Sequence, residues 1–170
     1  MKRDVLMVGM MGSGKSTVGR KLATALGCEF EDTDNLIIAR FGRPIDQVFR
    51  IYGEEAFREH EHSMLKGLEP KGRVLATGGG IVLREDNWVE MRRLGTVVHL
   101  HVSVESLIER LARSRRKRPL LQFPDWMDRY RNIYAARAQH YAKADITVEA
   151  HERSHDEVVL AIVNALGAPK

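Results

Sequence analysis

Short apolar runs and longer stretches of helical periodicity alternate along the chain. Val5, Leu6, Met7 and Val8 form a continuous apolar run, the pattern of a strand buried on both faces. Behind it, Val18, Leu22, Ala25 and Leu26 recur at helical spacing until Gly27, a suitable C-terminal stop. The same alternation continues, and it predicts strands over residues 4–9, 29–32, 73–77, 96–102 and 146–149. A helix follows the second strand through Leu36, Ile37, Ile38 and Phe41, up to the Gly42 break. Another opens at Gly53 and reaches about residue 68, and Ser103 is placed to cap a helix whose Leu107, Ile108 and Leu111 turn inward. Residues 125–141 form a long helix carrying Met127, Tyr130, Ile133, Tyr134 and Tyr141, and a last helix spans residues 156–166. Strand–helix alternation of this kind is the signature of an α/β domain with a parallel sheet. With 170 residues and no repeat, linker or low-complexity tract, one domain (residues 1–170) is expected.

The turn between the first strand and the first helix carries the clearest chemistry. Gly9-Met10-Met11-Gly12-Ser13-Gly14-Lys15-Ser16-Thr17 satisfies the phosphate-loop pattern of Gly, four residues, then Gly-Lys-Ser. Its glycines let the backbone curl with N–H groups pointing inward, and the helix opening near Lys15 aims its positive dipole end at the same point. Lys15 is expected to reach the β- and γ-phosphates of a nucleotide, and the Ser16 hydroxyl to ligate Mg²⁺.

Further candidates follow at the carboxyl ends of the predicted strands, where open sheets bind ligands. Asp32 and Asp34 offer one carboxylate for a magnesium shell and one for an acceptor hydroxyl; alternatively Asp34 caps the next helix. Arg58 lies near the inward stripe of its helix with Glu61 one turn away, so it either meets a substrate anion or forms a surface pair with Glu61. Gly78, Gly79 and Gly80 suit a close backbone approach to something bound, or an ordinary turn. Arg137 falls on the Tyr130–Tyr141 side of the long helix, a second arginine turned toward the apolar face. His99 and His101 share a face of the fourth strand, but nothing at recognisable spacing completes a zinc site, and buried or hydrogen-bonded histidines are expected. The dense run Arg110, Arg113, Arg115, Arg116, Lys117, Arg118 is either a lid over phosphates, placed at about 113–124, or a solvated basic loop.

Charge adds little that separates these readings. Lys plus Arg outnumber Asp plus Glu by 27 to 23, which raises nucleic acid as a partner. Much of the excess sits between Arg110 and Arg118, however, where a pocket for polyanionic ATP accounts for it, and no nucleic-acid-reading motif is present. Cys28 is the one cysteine, so no intrachain disulfide forms and a reducing, cytoplasmic setting fits. No stretch approaches a membrane span, and the N-terminal apolar run is too short for a signal segment.

Taken together, the chain resembles the shikimate kinase family over nearly its whole length. The resemblance rests on Gly9–Thr17, Asp32-Thr33-Asp34, Phe57-Arg58 with Glu61, Gly78-Gly79-Gly80, Arg118-Pro119-Leu120-Leu121, and Arg137 with Tyr141. It implies a five-stranded parallel sheet of order 2-3-1-4-5 with helices on both faces, a lid, and an acceptor-binding helical region at about 33–62. It implies transfer of phosphoryl from ATP to shikimate, giving shikimate 3-phosphate and ADP in aromatic amino-acid biosynthesis. By the same resemblance, Gly12, Ser13, Gly14, Lys15, Ser16 and Thr17 hold the nucleotide, with Arg110 and Arg153 flanking the adenine and Arg118 descending from the lid. Ser16 and Asp32 serve Mg²⁺. Asp34 engages the acceptor hydroxyls, Arg58 and Arg137 the carboxylate, and Gly79 and Gly80 present backbone to the same molecule. A monomer acting on ATP and shikimate, without nucleic acid or membrane, is implied. Two positions depart from the family pattern: Gln139-His140 stands where Pro-Leu is usual, and His155 where proline is usual. The alternatives are another small phosphate-loop kinase, such as a gluconate kinase, and a ligand-binding module without turnover.

Overall fold

The computed structural model describes residues 2–114 and 119–167. Five strands, β1 (Asp4–Val8), β2 (Phe30–Asp32), β3 (Val74–Ala76), β4 (Gly95–His101) and β5 (Ile146–Glu149), form one sheet in the order β2-β3-β1-β4-β5. Every pairing is parallel, with Val5 opposite Val74 on one side and Thr96 on the other. The expected sheet is therefore present. Strand ends differ from the expected bounds by a residue at most, because periodicity marks the apolar interior of a strand better than its last hydrogen bond.

The central strand β1 is buried at all five positions, and the core gathers around it: Leu6, Met7, Leu22, Leu75, Val97, Leu100 and Ile162 are almost wholly removed from water. Helices α1 (Lys15–Leu26), α2 (Thr33–Phe41), α3 (Ile45–Gly67), α4 (Glu85–Leu94), α5 (Val104–Ala112), α6 (Trp126–Tyr141) and α7 (His155–Gly167) cover the sheet. No helix among the described residues is long and apolar enough to cross a membrane.

Two helical stretches go beyond the expectation from sequence. α3 begins at Ile45, eight residues before Gly53, and is kinked where Gly53 takes a non-helical conformation (φ 82°, ψ 169°). Gly53 is thus a break inside a helix rather than its start. α4 gives no clear helical signal in the sequence, because five of its ten residues are charged. Its buried Trp88, Met91 and Leu94 nevertheless recur at spacing three, and its acidic first turn and basic last turn both complement the helix dipole.

Asp4, at the amino end of β1, is fully buried. Its Oδ1 accepts from the backbone N–H groups of Lys71, Gly72 and Arg73, and its Oδ2 pairs with Arg73 Nε at 3.0 Å. Arg73, itself only 4 % exposed, also reaches Glu31. This network ties the end of the sheet remote from the phosphate loop. Asp4→Ala leaves a buried guanidinium short of its partner and is expected to cost about 3–5 kcal/mol in urea unfolding.

Candidate active site

The phosphate loop takes its shape from left-handed glycines. Gly9, Gly12 and Gly14 have φ of 153°, 89° and 95°, which other residues adopt only under strain. Gly14 is the N-cap of α1, and no side chain among the described residues caps that end. The first N–H groups of the helix are thereby left to an anion at its N-terminus. Lys15 folds back along the loop, its Nζ donating to the carbonyls of Gly9 (2.8 Å) and Met10 (2.9 Å). Ser13 is buried beneath the loop, with its Oγ making no hydrogen bond among the described residues. Tyr130, from α6, donates its hydroxyl to the Met11 carbonyl at 2.6 Å and so pins the loop from the other side.

β2 delivers the acidic pair. Asp32 ends the strand, and its two oxygens do different things: Oδ2 accepts from the Ser16 hydroxyl at 2.8 Å, and Oδ1 accepts from the Asp34 N–H at 3.0 Å. The cap of α2 is therefore Asp32, not Asp34, which corrects the alternative raised from sequence. Asp34, released from capping, sits in the first helical turn and faces the cavity. Burial, and then the charge of Asp32, raise its pKa above the ordinary aspartate value, against the opposing pull of Lys15 and Arg58.

α3 and α6 supply the cations. Arg58 Nη1 pairs with Glu61 at 2.5 Å and Nη2 with Glu54 at 3.1 Å. The Arg58–Glu61 pair is no surface bridge, because Glu61 is 1 % exposed and its carboxyl is pushed up by burial despite the guanidinium beside it. Arg137 lines the same cavity as Arg58, close to Gly79, and its charge acts on the Tyr141 phenol.

Between these groups runs the triple glycine. A Cβ on Gly78 would lie 2.9 Å from Asp34 Oδ1 and 3.1 Å from Glu61 Oε1; one on Gly80 would lie 2.6 Å from Arg58 Cζ. A Cβ on Gly79 would stand 3.3 Å from Arg137 Nη1. None of the three has a positive φ, so it is space beside Asp34 and Arg58, and not backbone freedom, that favours glycine at positions 78 and 80. Thr33 Oγ1 accepts from the Gly78 N–H at 3.1 Å and joins the strand end to α2.

One cavity of about 790 Å³ runs from Gly12, Lys15, Ser16 and Thr17, past Asp32 and Asp34, to Arg58, Gly79, Gly80 and Arg137. Arg110 stands at its rim and donates to the Ala150 carbonyl at 3.4 Å, on the turn that carries Arg153. Arg153 itself is exposed on that turn and does not line the cavity. Arg118, and with it residues 115–118 of the segment read as a lid, lies outside the described residues. Sequence reasoning did not place Phe49, Phe57 and Thr77 in the cavity wall. Their signal there is indistinguishable from that of core residues. His101 hydrogen-bonds Glu149 (2.7 Å) and Tyr134 (3.1 Å), while His99 stacks on Tyr141.

Comparison with known proteins agrees with this geometry. The family described as shikimate kinase matches residues 11–167. A shikimate kinase of Pseudomonas aeruginosa is 45 % identical over 165 residues, covering 96 % of this chain and 95 % of the relative. Among solved structures, shikimate kinase from Acinetobacter baumannii in complex with shikimate superposes with a TM-score of 0.89 at 34 % identity, covering 98 % of this chain and 93 % of that one. A gluconokinase from Sinorhizobium meliloti shares the fold alone, with a TM-score of 0.55 at 20 % identity, covering 96 % of this chain and 91 % of that one. The chain belongs to the shikimate kinase family.

Proposed function

We infer that this protein transfers the γ-phosphoryl group of ATP to the 3-hydroxyl of shikimate, giving shikimate 3-phosphate and ADP. The observation that carries the reading is a single cavity with a phosphate loop at one end and, at the other, two arginines facing a carboxylate across a glycine floor. That far end suits a small ring bearing one carboxylate and several hydroxyls. Planar guanidinium forks suit the carboxylate, the half-buried Asp34 suits a hydroxyl, and the Cβ-free floor admits a ring against the backbone.

The roles follow from phosphoryl-transfer physics, in which positioning and charge neutralisation dominate. Gly12, Ser13, Gly14, Lys15, Ser16 and Thr17 hold the nucleotide phosphates, with Lys15 at the transferring group. Arg58 and Arg137 bind the shikimate carboxylate, and Gly79 and Gly80 line its ring. Asp34 orients the attacking hydroxyl and takes its proton. Arg110 flanks the adenine, with Arg153 on the adjoining turn. Arg118 comes from a lid at about 113–124, whose near end, Ser114, stands on the cavity rim. Ser16 and Asp32 are adjacent hard oxygen donors beside the phosphate loop, a set that fits Mg²⁺, which binds few protein groups and completes its shell with water and phosphate. When bound there it neutralises charge on the β- and γ-phosphates. We assign residues 1–170 to one kinase domain with its acceptor-binding region at about 33–62. We further assign the protein to the cytoplasm as a monomer, with ATP and shikimate its partners.

An ADP-release assay with shikimate, gluconate and no acceptor tests the reading: turnover is expected with shikimate alone. Equal turnover with gluconate, or ADP release independent of acceptor, would overturn it. Within this site, Arg137→Ala is expected to raise KM for shikimate about 10- to 100-fold, the scale of a charged hydrogen bond, with ATP affinity unchanged by calorimetry. Arg58→Ala should do the same and also lower Tm, because it strands the buried Glu61 carboxylate.

A further inference from the structure

Tyr141 ends α6 one turn beyond Arg137 and is 3 % exposed. Its hydroxyl donates to the Gly79 carbonyl at 2.9 Å, while the neighbouring Arg137 guanidinium acts electrostatically on the same phenol. A phenol donates one proton and keeps its lone pairs, so the two interactions are compatible. The peptide between Gly79 and Gly80 is planar and trans. Fixing the Gly79 carbonyl toward Tyr141 therefore fixes the Gly80 N–H in the opposite direction. One side chain thus sets both the backbone floor and one of the two arginines of the acceptor end.

Behind Tyr141 the packing is of a different kind. The ring lies flat on His99, with centroids 4.8 Å apart and planes 7° from parallel. Both rings border a second cavity, of about 270 Å³, shared with Met10, Leu107, Ala138 and Thr147. With open space on that side, the imidazole face, more than close packing, sets the plane of the phenol. Burial, helped by neighbouring His101, lowers the His99 pKa to about 4, and burial pushes the Tyr141 phenol up to about 12. Neither ring changes charge near neutral pH, and the phenol keeps the proton it donates.

We propose that Tyr141, backed by His99, is a positioning residue of the acceptor site, holding the Gly79 peptide and the Arg137 guanidinium in register with each other. The proposal rests on the shikimate reading of the cavity. It separates Tyr141 from the other apolar residues of α6: Tyr130 pins the nucleotide loop, whereas Tyr141 pins the acceptor floor.

Steady-state kinetics of Tyr141→Phe test it, since phenylalanine keeps the stacked ring and removes only the hydroxyl. KM for shikimate should rise about tenfold, the upper range for loss of one buried hydrogen bond, with KM for ATP unchanged and kcat within about threefold. His99→Ala should move KM for shikimate in the same direction, while His99→Phe, which restores a stacking face, should return it toward wild type. In an Arg137→Ala background the added effect of Tyr141→Phe should be smaller than in wild type, because part of it acts through Arg137. Should Tyr141→Phe fail to fold, the two His99 variants carry the same test. Wild-type KM for shikimate in Tyr141→Phe, or a parallel rise in both substrates' constants, overturns the proposal. A wild-type enzyme without turnover on shikimate overturns the functional reading instead, so the two failures are distinguishable.

Discussion

Lys15→Ala is expected to lower kcat by about 10²–10³, the scale of removing one preorganised donor from a charge-developing transition state. The loop holds the ammonium in place beforehand. Its contacts to the Gly9 and Met10 carbonyls curl the stem back over the loop, so little reorganisation remains when the phosphoryl group moves. Lys15 also acts on Asp34, where its charge opposes the upward shift of the carboxyl. The groups proposed to sit at the two ends of the transferring phosphoryl are thus already in electrostatic contact. Lys15→Met keeps the apolar stem without the charge and should lose as much activity as the alanine. Kinetics at saturating ATP, with calorimetry of ATP binding alongside, separate the possible roles. A variant with intact kcat and weakened ATP binding would make Lys15 a ground-state contact only.

The parts of this molecule that are legible in its sequence are those whose cause is local. The phosphate loop reads directly because its requirements, glycine at left-handed positions followed by Lys-Ser at a helix start, fall within nine consecutive residues. The triple glycine is different. Its composition announces a close approach, but what approaches is the protein's own Asp34, Glu61, Arg137 and Arg58, drawn from α2, α3 and α6. No spacing along the chain encodes that meeting. Asp32 and Asp34 are equally good caps by type, and only the direction of the Asp34 N–H decides between them. Tyr141 reads as one more apolar residue on the stripe of α6, because a hydroxyl bound to a carbonyl 62 residues away leaves no local trace. α4 hides for the opposite reason: its charged positions obscure a short apolar stripe that only the sheet beneath makes decisive. Sheet order likewise came from the family resemblance, since strand periodicity carries no information about neighbours.

Those converging side chains impose a conflict that Asp34→Asn should expose. Asparagine keeps the shape and reach of the side chain but loses the charge, and a positioned base is typically worth 10²–10⁴-fold, so kcat should fall by that range with ATP affinity intact. Stability should move the other way. The folded-state pKa of Asp34 is raised by burial and then by Asp32. A carboxyl in that position binds its proton more tightly in the folded protein than in the unfolded one, so its ionisation at neutral pH weighs against folding. That penalty is relieved as pH falls through the raised folded value, and it is gone below the unfolded value near 3.8. Asparagine has no such penalty. The variant should therefore be more stable than wild type at pH 7, by a margin that shrinks toward acid. Glu61 shifts in the same direction but is present in both proteins, so it largely cancels in the difference. Wild-type activity should fall with acid as Asp34 takes up its proton, and the residual activity of the variant should lack that limb. Urea unfolding of both proteins across a pH series, beside their pH–rate profiles, measures all of this. Full kcat in Asp34→Asn would remove Asp34 from the chemistry. A variant less stable than wild type at every pH would mean that the charge is stabilised by its arginine and lysine neighbours more than burial opposes it.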